Sequence, residues 1–421
     1  MLDTKTNITQ TILNALTKSG NKIAFMPDTA VVEAIRHIEE KGVPNNKHED
    51  YKYCNLEAVL RRDFKSIGNK FNPVTKVDQH KLKDCYNIVV LNGEYSADLS
   101  DKIAEVKLTT LTDSANEVRS YVTKLADVNS DAFIAINTAF SSKGLFVEVK
   151  NVVKKPIHII NVSSAKENAF INPRQLIVIH KSGEATIIET FVSENNSAKI
   201  FQNHLSEVVL HENAKLNSYR LQNEDENSVQ VNTTQVKLER YSNYTTSTFT
   251  FNGAVVRNNL NVVIASELSE ANLNGLFISS GNKLIDNHTL VDHQMPNCQS
   301  NELYKGIAKD KSTGVFNGKI YVRKDAQKTN AYQSSKNILL SEDATINTKP
   351  QLEIYADDVK CSHGTSTGKV DDAALFYLKS RGIGDENARK LLLQAFAQEV
   401  IDKIEIEELK DKVVALFEES L

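Results

Sequence analysis

A chain of 421 residues with 50 Lys and Arg against 54 Asp and Glu carries a net charge of −4. That field gives no basis for binding nucleic acid or an anionic membrane. The length suits one large elongated domain or two to three ordinary ones, and four scattered cysteines with no CxxC speak against a disulfide framework or a closed structural zinc site. The first residues, Met-Leu-Asp-Thr-Lys-Thr-Asn, lack a basic stretch followed by an apolar run. No segment reaches the ~20 apolar residues that span a bilayer, so a reducing, cytoplasmic setting is expected.

Residues 1 to about 70 read as helical. Ile8, Ile12, Leu13 and Leu16 form one apolar stripe ending at Gly20. Val31, Val32, Ala34, Ile35 and Ile38 form a second, capped by Asp28 or Thr29 and stopped by Gly42-Val-Pro44. Pro44 to Leu56 alternates charged and aromatic residues, as a segment laid over a surface does. Its Cys54 reads as a packed thiol. A strand from Asn87 to Leu91, a turn at Asn92-Gly93, an amphipathic helix over Asn116 to Ala126 and an apolar run at 132–138 follow.

From 144 to 360 the pattern is short and alternating, as in Gly144–Val149, Ile157–Val162, Gln175–Ile179 and Thr186–Thr190. Asn recurs, for example at Asn195-Asn196 and Asn258-Asn259. Strands without intervening helices exclude a doubly wound sheet and leave a sandwich, a barrel or a coiled solenoid. One recurrence separates these: Ser182-Gly-Glu-Ala-Thr-Ile187, His211-Glu-Asn-Ala-Lys-Leu216 and Ser341-Glu-Asp-Ala-Thr-Ile346, with a contracted form at Ser269–Leu273. A small alanine after an acidic turn suits a coil corner stacked on the next. This favours a parallel β-helix, with a large β-sandwich as the alternative.

The stretch Glu353-Ile-Tyr-Ala-Asp-Asp-Val-Lys-Cys-Ser-His-Gly364 reads as a strand punctuated by Pro350 and Gly364. Period-2 geometry puts Cys361 and His363 on one face, roughly 6–7 Å apart along the strand. Thiolate and imidazole there can share a soft or borderline metal, pair with each other, or do nothing. A second group, Asp286 to Cys298, holds His288, His293 and Cys298. As ligands these suit zinc, ferrous iron or the edge of an iron–sulfur cluster. As structural residues they satisfy turn carbonyls and fill core space.

Beyond Gly364 the period becomes helical. Asp371 or Asp372 caps a helix with Ala374, Leu375 and Leu378 that closes at Gly382. Asp385 and Glu386 start a second through Leu391-Leu-Leu393, Ala395, Phe396 and Val400, and a third begins near Glu405. Three consecutive leucines cover about 200° of helix surface, more than one neighbour fills. Two packing partners are expected, one of them another protein. No GxxxxGK[ST], HExxH or EF-hand loop occurs, so the chain is expected to hydrolyse no nucleotide itself.

The Glu353–Gly364 phrase, followed by Ala374-Leu-Phe-Tyr-Leu-Lys-Ser-Arg-Gly-Ile383 and Ala388-Arg-Lys-Leu-Leu-Leu-Gln-Ala-Phe396, resembles the C-terminal signature of the SufB/SufD family of iron–sulfur cluster assembly scaffold proteins. The likeness extends to Val291-Asp-His-Gln-Met-Pro-Asn-Cys-Gln-Ser300, Tyr304-Lys-Gly306, Phe316–Val322 and Pro44–Leu56. Lys-Cys-Ser-His-Gly is similar to the SufD branch, whereas the SufB branch has a Glu-His-Glu type phrase there. Cys54 stands where many relatives have Thr.

The resemblance implies a right-handed parallel β-helix over 141–364, between a helical and mixed N-terminal part, 1–140, and a helical C-terminal part, 365–421. It implies a non-catalytic scaffold paired with SufB through the β-core, with the SufC ATPase on the C-terminal helices at Phe376, Tyr377, Arg381, Leu392 and Phe396. It further implies that Cys361 and His363 serve iron acquisition or the nascent cluster at the SufB interface, with His293 and Cys298 as further candidates. It implies that nothing is bound tightly and that iron or a cluster passes through. The isolated chain is expected to be able to pair with itself. The alternatives are a SufB-like scaffold and a β-helix enzyme acting on polysaccharide.

Overall fold

The computed structural model describes residues 8–18, 23–64, 67–68, 70–141, 144–194 and 197–421. Gly20, the Asn195-Asn196 pair, the first seven residues and the side chain of Leu16 lie outside them. In chain order the strands are β1 (Tyr86–Leu91), β2 (Glu94–Ser96), β3 (Val106–Thr109), β4 (Leu145–Val149), β5 (Ile157–Ser163), β6 (Ala169–Ile171), β7 (Arg174–Ile179) and β8 (Glu184–Ser193). They continue as β9 (Ile200–Leu210), β10 (Lys215–Asn223), β11 (Ser228–Leu238), β12 (Asn243–Asn252), β13 (Val255–Ile264) and β14 (Glu270–Ser279). The last six are β15 (Leu284–His293), β16 (Gln299–Ala308), β17 (Thr313–Val322), β18 (Asn330–Leu339), β19 (Thr345–Ile354) and β20 (Lys360–Gly368).

Consecutive strands alternate between two sheets, β1-β5-β8-β10-β12-β14-β16-β18-β20 and β19-β17-β15-β13-β11-β9-β7-β4. All pairs along these two runs are parallel. This is a parallel β-solenoid of about 8 turns over residues 145–368. The sandwich is excluded, because a sandwich closes its strands antiparallel.

Many corners turn through one residue in the left-handed region: Ser182, Asn213, Tyr241, Leu268, Asn297, Asp310 and Lys328 all have φ between 59° and 62°. Such a conformation costs a side-chain-bearing residue energy, and the stacked coils on either side hold it. The recurrent phrase falls at the Ser182, Asn213 and Leu268 corners and again before β19, and its alanines, Ala185, Ala214, Ala271 and Ala344, are all buried. They do not form one column. Ala185 and Ala271 share an inward column that continues through Ser300 and Ala331 to Cys361. Ala214 sits at the corner before β10, and Ala344 precedes a strand of the other sheet.

Among the described residues, eight α-helices flank the coils: α1 (Ile8–Lys18), α2 (Asp28–Lys41), α3 (Leu56–Asp63), α4 (Ala115–Val118), α5 (Ala132–Phe140), α6 (Asp372–Ser380), α7 (Asp385–Ile401) and α8 (Glu407–Ser420). α5 is apolar except at Asn137 and Thr138 and buried along nearly its whole length, with Phe133 stacked on Phe201 of β9 at 5.6 Å. Arg174 of β7, fully buried, donates to Glu207 and also to Asn137 Oδ1 (3.3 Å) and Thr138 Oγ1 (3.2 Å) of this helix.

Several local expectations change. The helix predicted over Asn116–Ala126 is a single turn, Ala115–Val118, and the chain goes on in turns through a positive φ at Thr123 (68°). Val32 points to solvent, 67% exposed. Pro27 is the residue before α2, and Asp28 is its first helical position rather than its cap. The Glu353–Gly364 stretch is not one strand. β19 ends at Ile354, a corner follows, and β20 runs on through Gly364 to Gly368. Pro350 lies inside β19, tolerated because β19 is the last strand of its sheet.

At the C-terminus Asp371 caps α6, accepting from Ala373 N (2.8 Å) and Ala374 N (3.1 Å), and Gly382 closes it at φ 87°. α7 and α8 lie on the outer face of the solenoid, where Leu393, Ala397, Val413 and Phe417 pack with Leu276 and Phe251. A buried lysine, Lys305 of β16, fastens α7: its Nζ reaches Phe396 O (2.6 Å) and Glu399 (2.7 Å) and lies 4.8 Å from the Phe396 ring centroid.

Candidate functional site

β19 and β20 end their sheets, so each leaves one edge unpaired. Their burial falls accordingly: β20 is exposed at every position but Cys361. On β20 the side chains alternate, and Cys361 and His363 share the face that continues the inward columns of β18, in register with Ala331 and Gln333. The two residues therefore stand at the open mouth of the solenoid. Cys361 packs at the edge of a small apolar cluster of Ile320, Val322, Ala326, Ala331 and Ala356. That burial pushes its thiol pKa up, opposed by a backbone hydrogen bond at Ala331. His363 is exposed.

Behind His363 the column turns from apolar to polar. It runs from Leu273 through Glu302 and Gln333 to His363, one coil apiece. Glu302 Oε2 accepts from Thr289 Oγ1 (2.6 Å) and Gln333 Nε2 (3.2 Å). Neither Glu302 nor Gln333 attracts notice in the linear sequence. Once the coil length is known, stepping back one coil from His363 finds Gln333, and a second step finds Glu302.

The second sequence group does not converge. His288 faces outward and binds Asp286 (2.9 Å). His293 is in the lumen, bonded to Ser300 Oγ (2.9 Å), with burial holding its pKa down at about 4. Cys298, at a corner, donates its thiol to Ser266 O and Pro296 O, both at 3.3 Å. Among the described residues no three His, Cys, Asp or Glu side chains group as a metal site. Cys361 and His363 thus supply two donors where a metal site takes three or four protein ligands.

Asp286 belongs to a different arrangement. Arg257, 2% exposed, donates to Asp286 (2.6 Å) and to Asp50 O (2.8 Å), and lies 4.0 Å from the Tyr51 ring centroid. This pins Pro44–Leu56 to the solenoid. Cys54 is buried beside the pair, and burial drives its thiol pKa far above the usual range.

On the helices, Phe376 (75% exposed) and Tyr377 (57%) point outward, with the Arg381 guanidinium 5.4 Å from the Tyr377 ring. Leu392 and Phe396 turn toward the solenoid and pack on its outer cluster, while Leu391 is exposed. The leucine run therefore meets the solenoid on one side and solvent on the other.

The model of the SufBD protein N-terminal region matches residues 21–159, and that of the SUF system FeS cluster assembly SufBD core domain matches residues 160–396. The chain belongs to the SufBD family. It is 30% identical over 399 residues to the iron–sulfur cluster assembly protein SufD of Escherichia coli K12, covering 91% of each chain. A SufBD family protein of Synechocystis is 29% identical, covering 88% of this chain and 86% of its own. SufD of Bacillus subtilis is 28% identical over 77% of this chain and 75% of its own. The SufBD core match takes in the whole mouth with Cys361 and His363, together with α6 and most of α7. A SUF-system protein of iron–sulfur cluster assembly thus presents a thiol and an imidazole on the exposed last strand of its β-solenoid.

Proposed function

We propose that this chain is the SufD-type, non-catalytic scaffold subunit of a SufBCD-like complex. Cys361 and His363 form half of a transient site for iron or a nascent cluster, and a SufB-type partner pairs with the open end of the β-core to complete it. One observation carries the reading: the two ligand-type side chains stand together on a strand whose outer edge is unpaired. Burial of the Cys361 thiol supports it, since a raised pKa keeps the sulfur protonated until a cation approaches. A site so built binds weakly alone and releases what it holds. Iron and cluster are cargo here. The same mouth, unpartnered, suits self-pairing of the isolated chain.

Replacing Cys361 by Ala and His363 by Ala should each reduce cluster content of the co-expressed complex at least tenfold, read by its visible absorption and iron analysis. Full cluster content in both variants would remove the pair from the assembly reaction.

The helix surface at Phe376, Tyr377 and Arg381 is the proposed seat of a SufC-type ATPase, with Leu392 and Phe396 holding α7 against the solenoid beneath it. An exposed aromatic pair with an arginine is the composition of an interface anchor. Phe376→Ala and Arg381→Ala should weaken ATPase binding by about tenfold or more, measured by titration calorimetry. Because both side chains are exposed, the melting temperature should stay unchanged. Undiminished binding in both would place the ATPase elsewhere.

A further inference from the structure

The mouth of the solenoid contains two buried polar atoms without partners, one behind the other. Gln333, 3% exposed, uses its Nε2 on Glu302 but leaves its Oε1 unsatisfied. Glu302, also 3% exposed, leaves Oε1 unsatisfied in the same way. A buried carbonyl without a donor is costly, on the order of 1–3 kcal/mol, and calls for a reason. Leu273, one coil further in, shows that an apolar side chain fits this column. The next residue outward is His363.

A second observation shows that space is kept for the Gln333 amide. On the facing sheet Gly318 has no side chain, and a Cβ there would lie 2.3 Å from Gln333 Nε2 and 2.7 Å from its Cδ. Gln333 cannot turn that way if residue 318 carries a methyl group. Thr289 and Gln333 together hold the Glu302 carboxyl, and Glu302 in turn holds the amide nitrogen. The amide's orientation is therefore set from behind, with the nitrogen spoken for and the oxygen free.

We infer that Gln333, oriented by Glu302, is a positioning residue for His363: its free Oε1 accepts one imidazole N–H and turns the other ring nitrogen, as a lone-pair donor, toward the open mouth. Neighbouring coils lie about 4.8 Å apart, the spacing across which in-register side chains of one face meet. An imidazole whose second nitrogen is held in this way has a fixed tautomer and orientation, which is what ligand histidines need. The inference rests on Cys361 and His363 being the working pair of the mouth, but its test needs neither iron nor a partner.

The test is nitrogen NMR of the full chain with labelled histidines, ten in all, the His363 signal being identified by its loss in His363→Asn. At a pH where the ring is neutral, wild type should show His363 in a single tautomer. Gln333→Met, which keeps the volume and removes the acceptor, should give the averaged shifts of a freely exchanging imidazole. Gln333→Glu, which restores an acceptor oxygen, should recover the single tautomer. Far-UV circular dichroism and melting temperature establish that each variant is folded. Should Gln333→Met prove unfolded, Gly318→Ala, which displaces the amide from the opposite sheet, should produce the same averaging. Identical His363 shifts in wild type and folded Gln333→Met or Gly318→Ala protein would overturn the inference. Cluster assembly in cells is a separate outcome: loss of the tautomer with assembly intact would fault the working-pair reading and leave the hydrogen bond standing.

Discussion

Replacing Glu207 by Ala should destabilise the protein by about 3–5 kcal/mol, the usual cost of stripping one partner from a buried ion pair. Arg174 and Glu207 have no exposed side-chain surface at all. With the carboxylate gone, the guanidinium keeps only the neutral acceptors Asn137 Oδ1 and Thr138 Oγ1. It cannot reach water without lifting α5 off the coils, so a charge left in a dry site either pulls in water or forces the helix out. The loss should appear as a lower urea midpoint, with hydrogen exchange accelerated first at Asn137 and Thr138. The double replacement Arg174→Met with Glu207→Leu should recover most of the stability, because two apolar side chains remove both the charge and its desolvation cost. A small loss in the single variant, with exchange in α5 unchanged, would show that the pair is not what holds the helix.

Glu302→Gln should make the protein more stable above neutral pH and leave it unchanged in mild acid. Burial pushes the Glu302 carboxyl up from 4.5 to about 7, with the Thr289 and Gln333 hydrogen bonds opposing. Between those two values the folded protein binds the proton and the unfolded chain does not, so stability falls as pH rises. It is fully present below pH 4.5, and roughly 3 kcal/mol of it is gone above about pH 7. Glutamine carries no ionisable proton and removes this dependence. Its amide oxygen can accept from Thr289 and Gln333, as Glu302 Oε2 does. Unfolding at pH 5 and pH 8.5 checks the prediction. The quantity of interest is the difference between wild type and variant, since Glu224 is also raised by burial and contributes to both. Equal pH dependence in the two proteins would mean that Glu302 titrates as an ordinary carboxyl.

The two predictions differ in how far their residues could be read beforehand. Arg174 and Glu207 lie 33 positions apart on adjacent strands, and nothing local pairs them. Glu302 sits in the strand Gln299–Ala308 between Asn301 and Leu303, in a pattern that also suits a solvent-facing carboxyl. Its neighbours decide its state, and those neighbours come from other coils. Cys361 and His363 were readable as a pair because the strand period is local. That the pair stands at the mouth was not, since Glu353–Gly364 has no local mark separating one strand from two strands and a corner. Tyr241 and Leu268 show the same limit at corners: neither residue type announces a left-handed conformation, which stacking imposes.

By itself the sequence determined what depends on neighbours a few positions away. The alternation of the strands, the buried alanines of the recurrent phrase, the Asp371 cap, the Gly382 stop and the shared face of Cys361 and His363 all belong to that class. Only the tertiary structure decided what depends on residues one coil away. It separated His288, His293 and Cys298 into three unrelated places, turned Leu392 and Phe396 inward, and put Glu302 and Gln333 behind His363. The physical reason is the solenoid's own geometry. Each side chain meets its counterparts in the coils above and below, and those coils vary in length, so no fixed spacing in the chain announces which residues will meet.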